Sequence, residues 1–324
     1  MDAGRRRDRA IGRQGVTDVA RAESILRAAC GSRLRTAFPM APLTSFRIGG
    51  PAALYLEPES DTDLAAAAQA IADGDLPHVV IGKGSNVLVS DRGFSGLVLR
   101  LGRAYRWAAR DGDRLSAGGA MPLPALAGVA LRHALDGLAF GVAIPASLGG
   151  AVSMNAGAHG EQMADVLTDV DVYLLGEGRS RRLRAEAAGF TYRRSGLAAD
   201  AVVTGATFEL RHGDHAMIRA AMDEARDWRR RTQPLAEPNC GSVFANPAGD
   251  HAARLIDEAG LKGTRVGGAH VSTKHANFII ADEGARADDV MRLLDEVRRT
   301  VESRTGIELE PEVRLIGEFD HVAR

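Results

Sequence analysis

The chain of 324 residues carries 41 Lys and Arg against 42 Asp and Glu, and its length suits two or three domains around sizeable cores. The near cancellation of charge gives no argument for nucleic acid or an anionic membrane as partner, and no run approaches the roughly 18 apolar residues of a membrane-spanning helix. The two cysteines, Cys30 and Cys240, lie far apart and in no metal-ligand spacing, which excludes a zinc or iron–sulfur site built from cysteines.

The opening MDAGRRRDRAIGRQG is dense in arginine and lacks the apolar run of a signal peptide. It reads as a disordered basic tail, residues 1–15, on a cytoplasmic chain. Helical segments then recur: VTDVARAESILRAACG (16–31), TDLAAAAQAIADG (62–74), PLPALAGVALRHALDG (122–137) and ARLIDEAG (253–260) each end in a glycine suited to the left-handed residue past a helix. The spacing of Val290, Leu293, Leu294, Val297 and Val301 predicts a helix over 288–304, with Arg292, Asp295, Glu296 and Arg299 outward. A basic helix over about 215–231 links a glycine- and strand-rich region, 41–211, to a more helical final third. Between the helices lie β-prone runs, HVVIG, NVLVSD, GLVLRL, DVDVYLL, VVTGATFEL, ANFIIAD and IELEPEVRLIG. Helices and strands without a steady βαβ rhythm predict an α+β protein of several domains.

Two glycine-rich loops have room for a charged ligand. In VVIGKGSNVLVSDRGFSG a β-run enters Gly82-Lys83-Gly84-Ser85-Asn86 and another leaves, so that free backbone N–H groups can form a nest for phosphate. It is neither a Rossmann fingerprint, since a strand rather than a helix follows, nor a Walker loop. In GVAIPASLGGAVSMNAGAHG small residues permit close backbone approach, and Ser147, Asn155 and His159 add donors. Either loop alone is equally an array of tight turns; together they favour a dinucleotide. Read alone, Ser242 in PNCGSVFANP is a turn residue, and Cys240 beside it a small half-buried thiol. In IELEPEVRLIG, Ile307, Leu309, Pro311, Val313 and Leu315 fall on one strand face, and Glu308, Glu310, Glu312 and Arg314 on the other, which by itself is a solvated, salt-bridged face.

TSFRIGGPA (44–52), GKGSNVLVSDRGFSG (82–96), IPASLGGAVSMNAGAHG (144–160), FTYRRS (190–195), CGSVFANP (240–247), STKHANFII (272–280) and LEPEVRLIG (309–317) occur in one order. In that order they resemble the UDP-N-acetylenolpyruvoylglucosamine reductase (MurB) family, over about 16–318. The resemblance implies an FAD-binding domain of the vanillyl-alcohol-oxidase (PCMH) type, 16–213, in two subdomains of about 16–80 and 81–213. A C-terminal α+β substrate-binding domain, 214–318, follows. It implies NADPH as reductant, UDP-N-acetylenolpyruvoylglucosamine as substrate, no metal, and a monomer or weak dimer. Carried onto the matching positions, Ser242 is the proton donor, Arg193 the partner of the substrate carboxylate, and Glu312 the carboxylate that polarises the substrate or a water near C2. Flavin contacts fall to Arg47, Gly82, Gly84, Ser85, Asn86, Val87, Ile144, Ser147, Gly149, Gly150, Ala151 and Asn155, and substrate contacts to Tyr192, Arg231, Asn246 and His275.

The match has departures. Ala146 stands where the family has glycine and is expected to resist a glycine-only backbone; His159 replaces a common tyrosine and Ala245 a lysine. The short span after Tyr192 is similar to the type II subclass. Other readings are a different FAD-dependent oxidoreductase of the same superfamily and a sugar-nucleotide-binding protein without catalysis.

Overall fold

The computed structural model describes residues 18–320, so the expected tail at 1–15 lies outside the described residues. Among them no helix is long and apolar enough to cross a membrane.

The first body pairs two helices with a sheet. Helix α1 (Val19–Cys30) starts at Asp18, whose carboxylate accepts the Arg21 N–H, and stops at Gly31, where φ is +58°. Strands β1 (Leu34–Pro39) and β2 (Pro51–Leu56) run antiparallel; helix α2 (Asp61–Gly74) then returns the chain to β3 (His78–Val80). Strand β4 (Val87–Val89) leaves the first glycine loop, and β5 (Phe94–Leu99) closes a four-stranded sheet of order β1-β2-β5-β3. Leu97-Val98-Leu99 is an unbroken apolar run because β5 is covered on both faces. Leu97 and Leu99 pack under α1 and α2, while Val98 packs with Tyr55, Val87 and Val89. The sheet continues through Leu99, so a subdomain division at about residue 80 falls inside it.

The second body is an antiparallel five-stranded sheet of strands Arg179–Arg184, Leu167–Leu174, Ala201–Glu209, β7 (Arg114–Gly118) and β6 (Ala108–Asp111), in that order. Helices α3 (Leu123–Arg132) and α4 (Leu148–Ser153) cover its apolar face. The basic helix α5 (His215–Thr232) buries Ile218, Met222 and Ala225 against Ala127, Leu131 and Val142. It therefore packs on this body, although the sequence placed it at the start of the C-terminal domain.

The third body sets α6 (Ala252–Glu258) and α7 (Ala287–Thr305) against a small sheet of Arg265–Val266, Ala269–Val271 and Ile279–Ala281. All five apolar positions expected along α7 are buried, but so is Asp295, expected outward; Gly306 ends the helix with φ +73°. Gly31 ends α1 and Gly260, with φ +68°, follows α6 as expected, while the other two expected stops are displaced. Gly74 is still helical and Asp75 takes the left-handed turn, while α3 ends at Arg132, five residues before Gly137.

The expected long strand over 307–315 is the largest correction. Only Arg314–Ile316 is a strand, parallel to β4, and the alternation slips after Val313: Leu315 is 43% exposed and Ile316 is buried. Val313 belongs to the third core and Ile316 to the core beneath β4, so the chain changes partners between them.

Candidate active site

The bodies meet around a cavity of about 1800 Å³. Sites for one drug-sized ligand run about 300–1,000 Å³, so this space suits two ligands of nucleotide size. Both glycine loops line it: Gly82, Gly84, Ser85, Asn86 and Val87 from the first, and Ile144, Ser147, Gly149, Gly150 and Ala151 from the second, with Arg47 beside them. The residues present fit a dinucleotide. Gly84 has φ +65°, and a β-carbon there would overlap the Leu43 carbonyl; at Gly82 it would overlap the Ser147 hydroxyl. Ser147 caps α4 by accepting the Gly150 N–H at 3.3 Å, a bond within the second loop.

Two of the expected contacts lie elsewhere. Asn155 is 1% exposed and does not line the cavity. Its amide donates to Gln162 Oε1 and to the Thr191 carbonyl, each at 2.9 Å, and its Oδ1 accepts the Ala164 N–H at 3.0 Å. It braces the loop that carries Arg193. Arg231 is exposed on α5 outside the lining; Arg229 is inside, donating Nε to Gln233 Oε1 at 2.9 Å. The stripe of Ile218, Met222 and Ala225 extends by helical spacing to 229 and not to 231. Ala146 has no positive φ, so its replacement of glycine costs no backbone strain; its N–H donates to the Ile144 carbonyl at 2.9 Å. His159 does take φ +55°, and its ring meets Trp228 edge-on at 5.2 Å.

Ser242, Arg193 and Glu312 all line this cavity. Ser242 follows Gly241, whose φ of +82° turns the chain, and Asn239 Oδ1 fixes that turn by accepting the Gly241 N–H at 2.9 Å. Beyond it, Asn277 holds Phe244 from both sides, accepting its N–H at 3.0 Å and donating to its carbonyl at 2.8 Å. Glu312 docks on the same loop, its N–H donating to the Val243 carbonyl at 2.8 Å. Arg193 occupies the third position of a turn closed by reciprocal bonds between Thr191 and Arg194, with φ +58°, a conformation rare for arginine. Its Nη2 donates to the Gly157 carbonyl at 3.1 Å, and its Nε stands 3.6 Å from Glu312 Oε1. Burial raises the Glu312 carboxyl above its ordinary range, and Arg193 partly opposes the rise.

Adjacent residues are sorted by the same geometry. Arg194 and Glu310 pair on the surface while Arg193 and Glu312 pair in the cavity. Glu310 and Glu312, expected on one strand face, thus part into a solvated pair and a sheltered one. Burial, and then the Glu312 carboxylate, push the Cys240 thiol far above its ordinary value, which leaves it an inert packing group. His275 lines the cavity; burial lowers its pKa, and Nδ1 accepts the Asn277 N–H at 3.3 Å. Tyr192 is 53% exposed, with the Arg193 guanidinium 4.9 Å from its ring. Asn246 accepts the Ala252 N–H at the start of α6. Among the described residues no group of three or more His, Cys, Asp or Glu could hold a metal.

Residues 52–184 match the model of an FAD binding domain, and residues 233–316 that of the C-terminal domain of UDP-N-acetylenolpyruvoylglucosamine reductase. The chain is 48% identical over 86% of its length to the UDP-N-acetylenolpyruvoylglucosamine reductase of Heliobacterium modesticaldum, covering 90% of that protein. It is 46% identical to reductase 2 of Symbiobacterium thermophilum over 88% of this chain and 92% of that one. The crystal structure of the Thermus caldophilus reductase superposes with a TM-score of 0.76 at 35% identity, covering 88% of this chain and 99% of that one.

Proposed function

The chain belongs to the UDP-N-acetylenolpyruvoylglucosamine reductase family, and from that premise we propose how its cavity performs the reaction. It is an FAD-dependent oxidoreductase that uses NADPH to reduce the enolpyruvyl group of UDP-N-acetylenolpyruvoylglucosamine to UDP-N-acetylmuramate, in peptidoglycan precursor synthesis. The observation that carries the site assignment is the convergence of Ser242, Arg193 and Glu312 on the cavity lined by both glycine loops.

The loops 82–87 and 144–151, with Arg47, would hold FAD. Bound there, FAD supplies a two-electron carrier that takes hydride from NADPH and returns it to C3 of the enolpyruvyl group. The protein handles the charge this creates at C2 and on the conjugated carboxylate. Arg193, preset by its turn, pairs with that carboxylate in a two-pronged contact, displacing its resting contact with Glu312. Ser242 gives the proton of its hydroxyl to C2, which completes the saturated product, and its oxygen regains a proton from water. Glu312, one peptide bond pair away through Val243, polarises the substrate or a water beside C2. Tyr192, Asn246, His275 and Arg229 border the remaining space and would contact the sugar nucleotide. The setting is the cytoplasm, and the species a monomer or weak dimer.

The test is anaerobic. The purified protein should be yellow, NADPH should bleach its flavin, and UDP-N-acetylenolpyruvoylglucosamine should restore the colour rapidly. A protein that cannot be loaded with FAD, or a reduced flavin indifferent to this substrate, overturns the reading. A different flavoenzyme of the superfamily is disfavoured because CGSVFANP and LEPEVRLIG lie outside the FAD binding match and within or beside the reductase-specific one.

A further inference from the structure

We propose that Asn86 is a positioning residue for Glu312: its amide, in the first glycine loop, holds the peptide of the catalytic carboxyl in place across 226 residues of sequence. The inference rests on the role given to Glu312 above and adds what sets that role.

Glu312 precedes the strand Arg314–Ile316, which pairs with β4 from Val87 onward. The last backbone contact of that ladder is the Arg314 N–H donating to the Asn86 carbonyl at 3.1 Å. Glu312 therefore lies beyond the regular pairing, and its carbonyl has no place in it. The Asn86 side chain extends the ladder by one step, donating Nδ2 to the Glu312 carbonyl at 3.2 Å. On the other side of the same residue the Glu312 N–H donates to Val243 at 2.8 Å. The residue is thus clamped between the glycine loop and the serine loop, and its carboxyl is aimed at Arg193 Nε.

An amide suits the position because it can donate to Glu312 from a side chain short enough to stay within the loop. Aspartate has the same outline but, ionised, no donor; alanine leaves the Glu312 carbonyl free to turn. Rotation of that peptide swings the carboxyl relative to Ser242 and the substrate, and misplacement of a catalytic group by about 1 Å costs on the order of 10²-fold. Because Asn86 also lines the cavity, one side chain joins the loop that would hold FAD to the strand that presents the carboxyl.

The experiment compares holoenzyme variants Asn86→Ala, Asn86→Asp, Glu312→Gln and the two double variants, each saturated with FAD as judged by titration of flavin fluorescence. Stopped-flow traces follow reduction by NADPH and reoxidation by UDP-N-acetylenolpyruvoylglucosamine separately. Expected is a reoxidation rate about 10–100-fold lower in both Asn86 variants, beyond whatever change the loop that would hold FAD imposes on reduction, and no further loss when either is added to Glu312→Gln. A full additional loss in the double variants, or equal slowing of both half-reactions, overturns the inference. So does failure of both Asn86 variants to hold FAD, which would make Asn86 a cofactor ligand. If Glu312→Gln itself reoxidises normally, the reading of Glu312 has failed first; if it is slow and the Asn86 loss is additive, only the coupling has failed.

Discussion

At the scale of single residues the site separates two kinds of work. Arg193 is held by its turn and by the Gly157 carbonyl, whereas in the proposed mechanism Ser242 acts only once charge has developed at C2. Replacing Ser242 with Ala should leave flavin reduction by NADPH intact and slow reoxidation by the sugar nucleotide about 10²–10⁴-fold, the usual contribution of a positioned proton donor. Normal reoxidation in stopped flow would remove Ser242 from the role. Glu312 carries a cost to the fold. Its raised pKa means that the folded state holds the proton more tightly than the unfolded chain. This contribution is present at low pH and lost as pH rises through the shifted value. Glu312→Gln should therefore melt at a higher temperature than the wild type at pH 8, with the difference shrinking as pH falls below the ordinary carboxylate range. Equal differences at both pH values would contradict the burial argument. The same substitution is expected to impair turnover, so activity and stability move in opposite directions at this position.

At the scale of elements, legibility followed the regularity of the local pattern. Helix α7 was readable because Val290, Leu293, Leu294, Val297 and Val301 serve one core throughout. The segment 307–315 was not, because Val313 and Ile316 serve different cores and no alternation survives the change. Arg229 escaped notice for a related reason. Its role comes from continuing the buried stripe of α5 into the cavity, a signal visible only once Ile218, Met222 and Ala225 are known to face inward. Asn155 was misassigned because a polar residue in a glycine loop signals ligand contact as readily as internal bracing. The ordered motifs name Ser242, Arg193 and Glu312 together as an expectation, whereas their convergence on one cavity depends on turns and on bonds between distant segments. The capping of α7 shows the same dependence. Its first N–H groups, Ala287 at 3.0 Å and Asp288 at 3.4 Å, donate to Asp91 of the first body. Asp91→Ala should cost about 1 kcal/mol of stability, the typical value of such a cap. Urea denaturation measures it, and an unchanged midpoint would show that water replaces the carboxylate without loss.

At the scale of the whole molecule, the cavity is bounded by residues of all three bodies, so a ligand that fills it ties them together. FAD at about 100 times its Kd should stabilise the fold by roughly 2.7 kcal/mol if it binds the folded state alone. Thermal melts of apo and loaded protein, followed at both tryptophans and by circular dichroism, should shift together; a shift confined to one probe would mean that the bodies melt independently. The late strand Arg314–Ile316 carries a further consequence. Emerging from the ribosome, the chain completes the core beneath β4 only after nearly all of the third body has been made. The peptide of Glu312 is fixed at that same moment. A chain that stops short of Arg314 can then form much of its secondary structure yet leave the core beneath β4 open and the peptide of Glu312 without its partner from the first glycine loop.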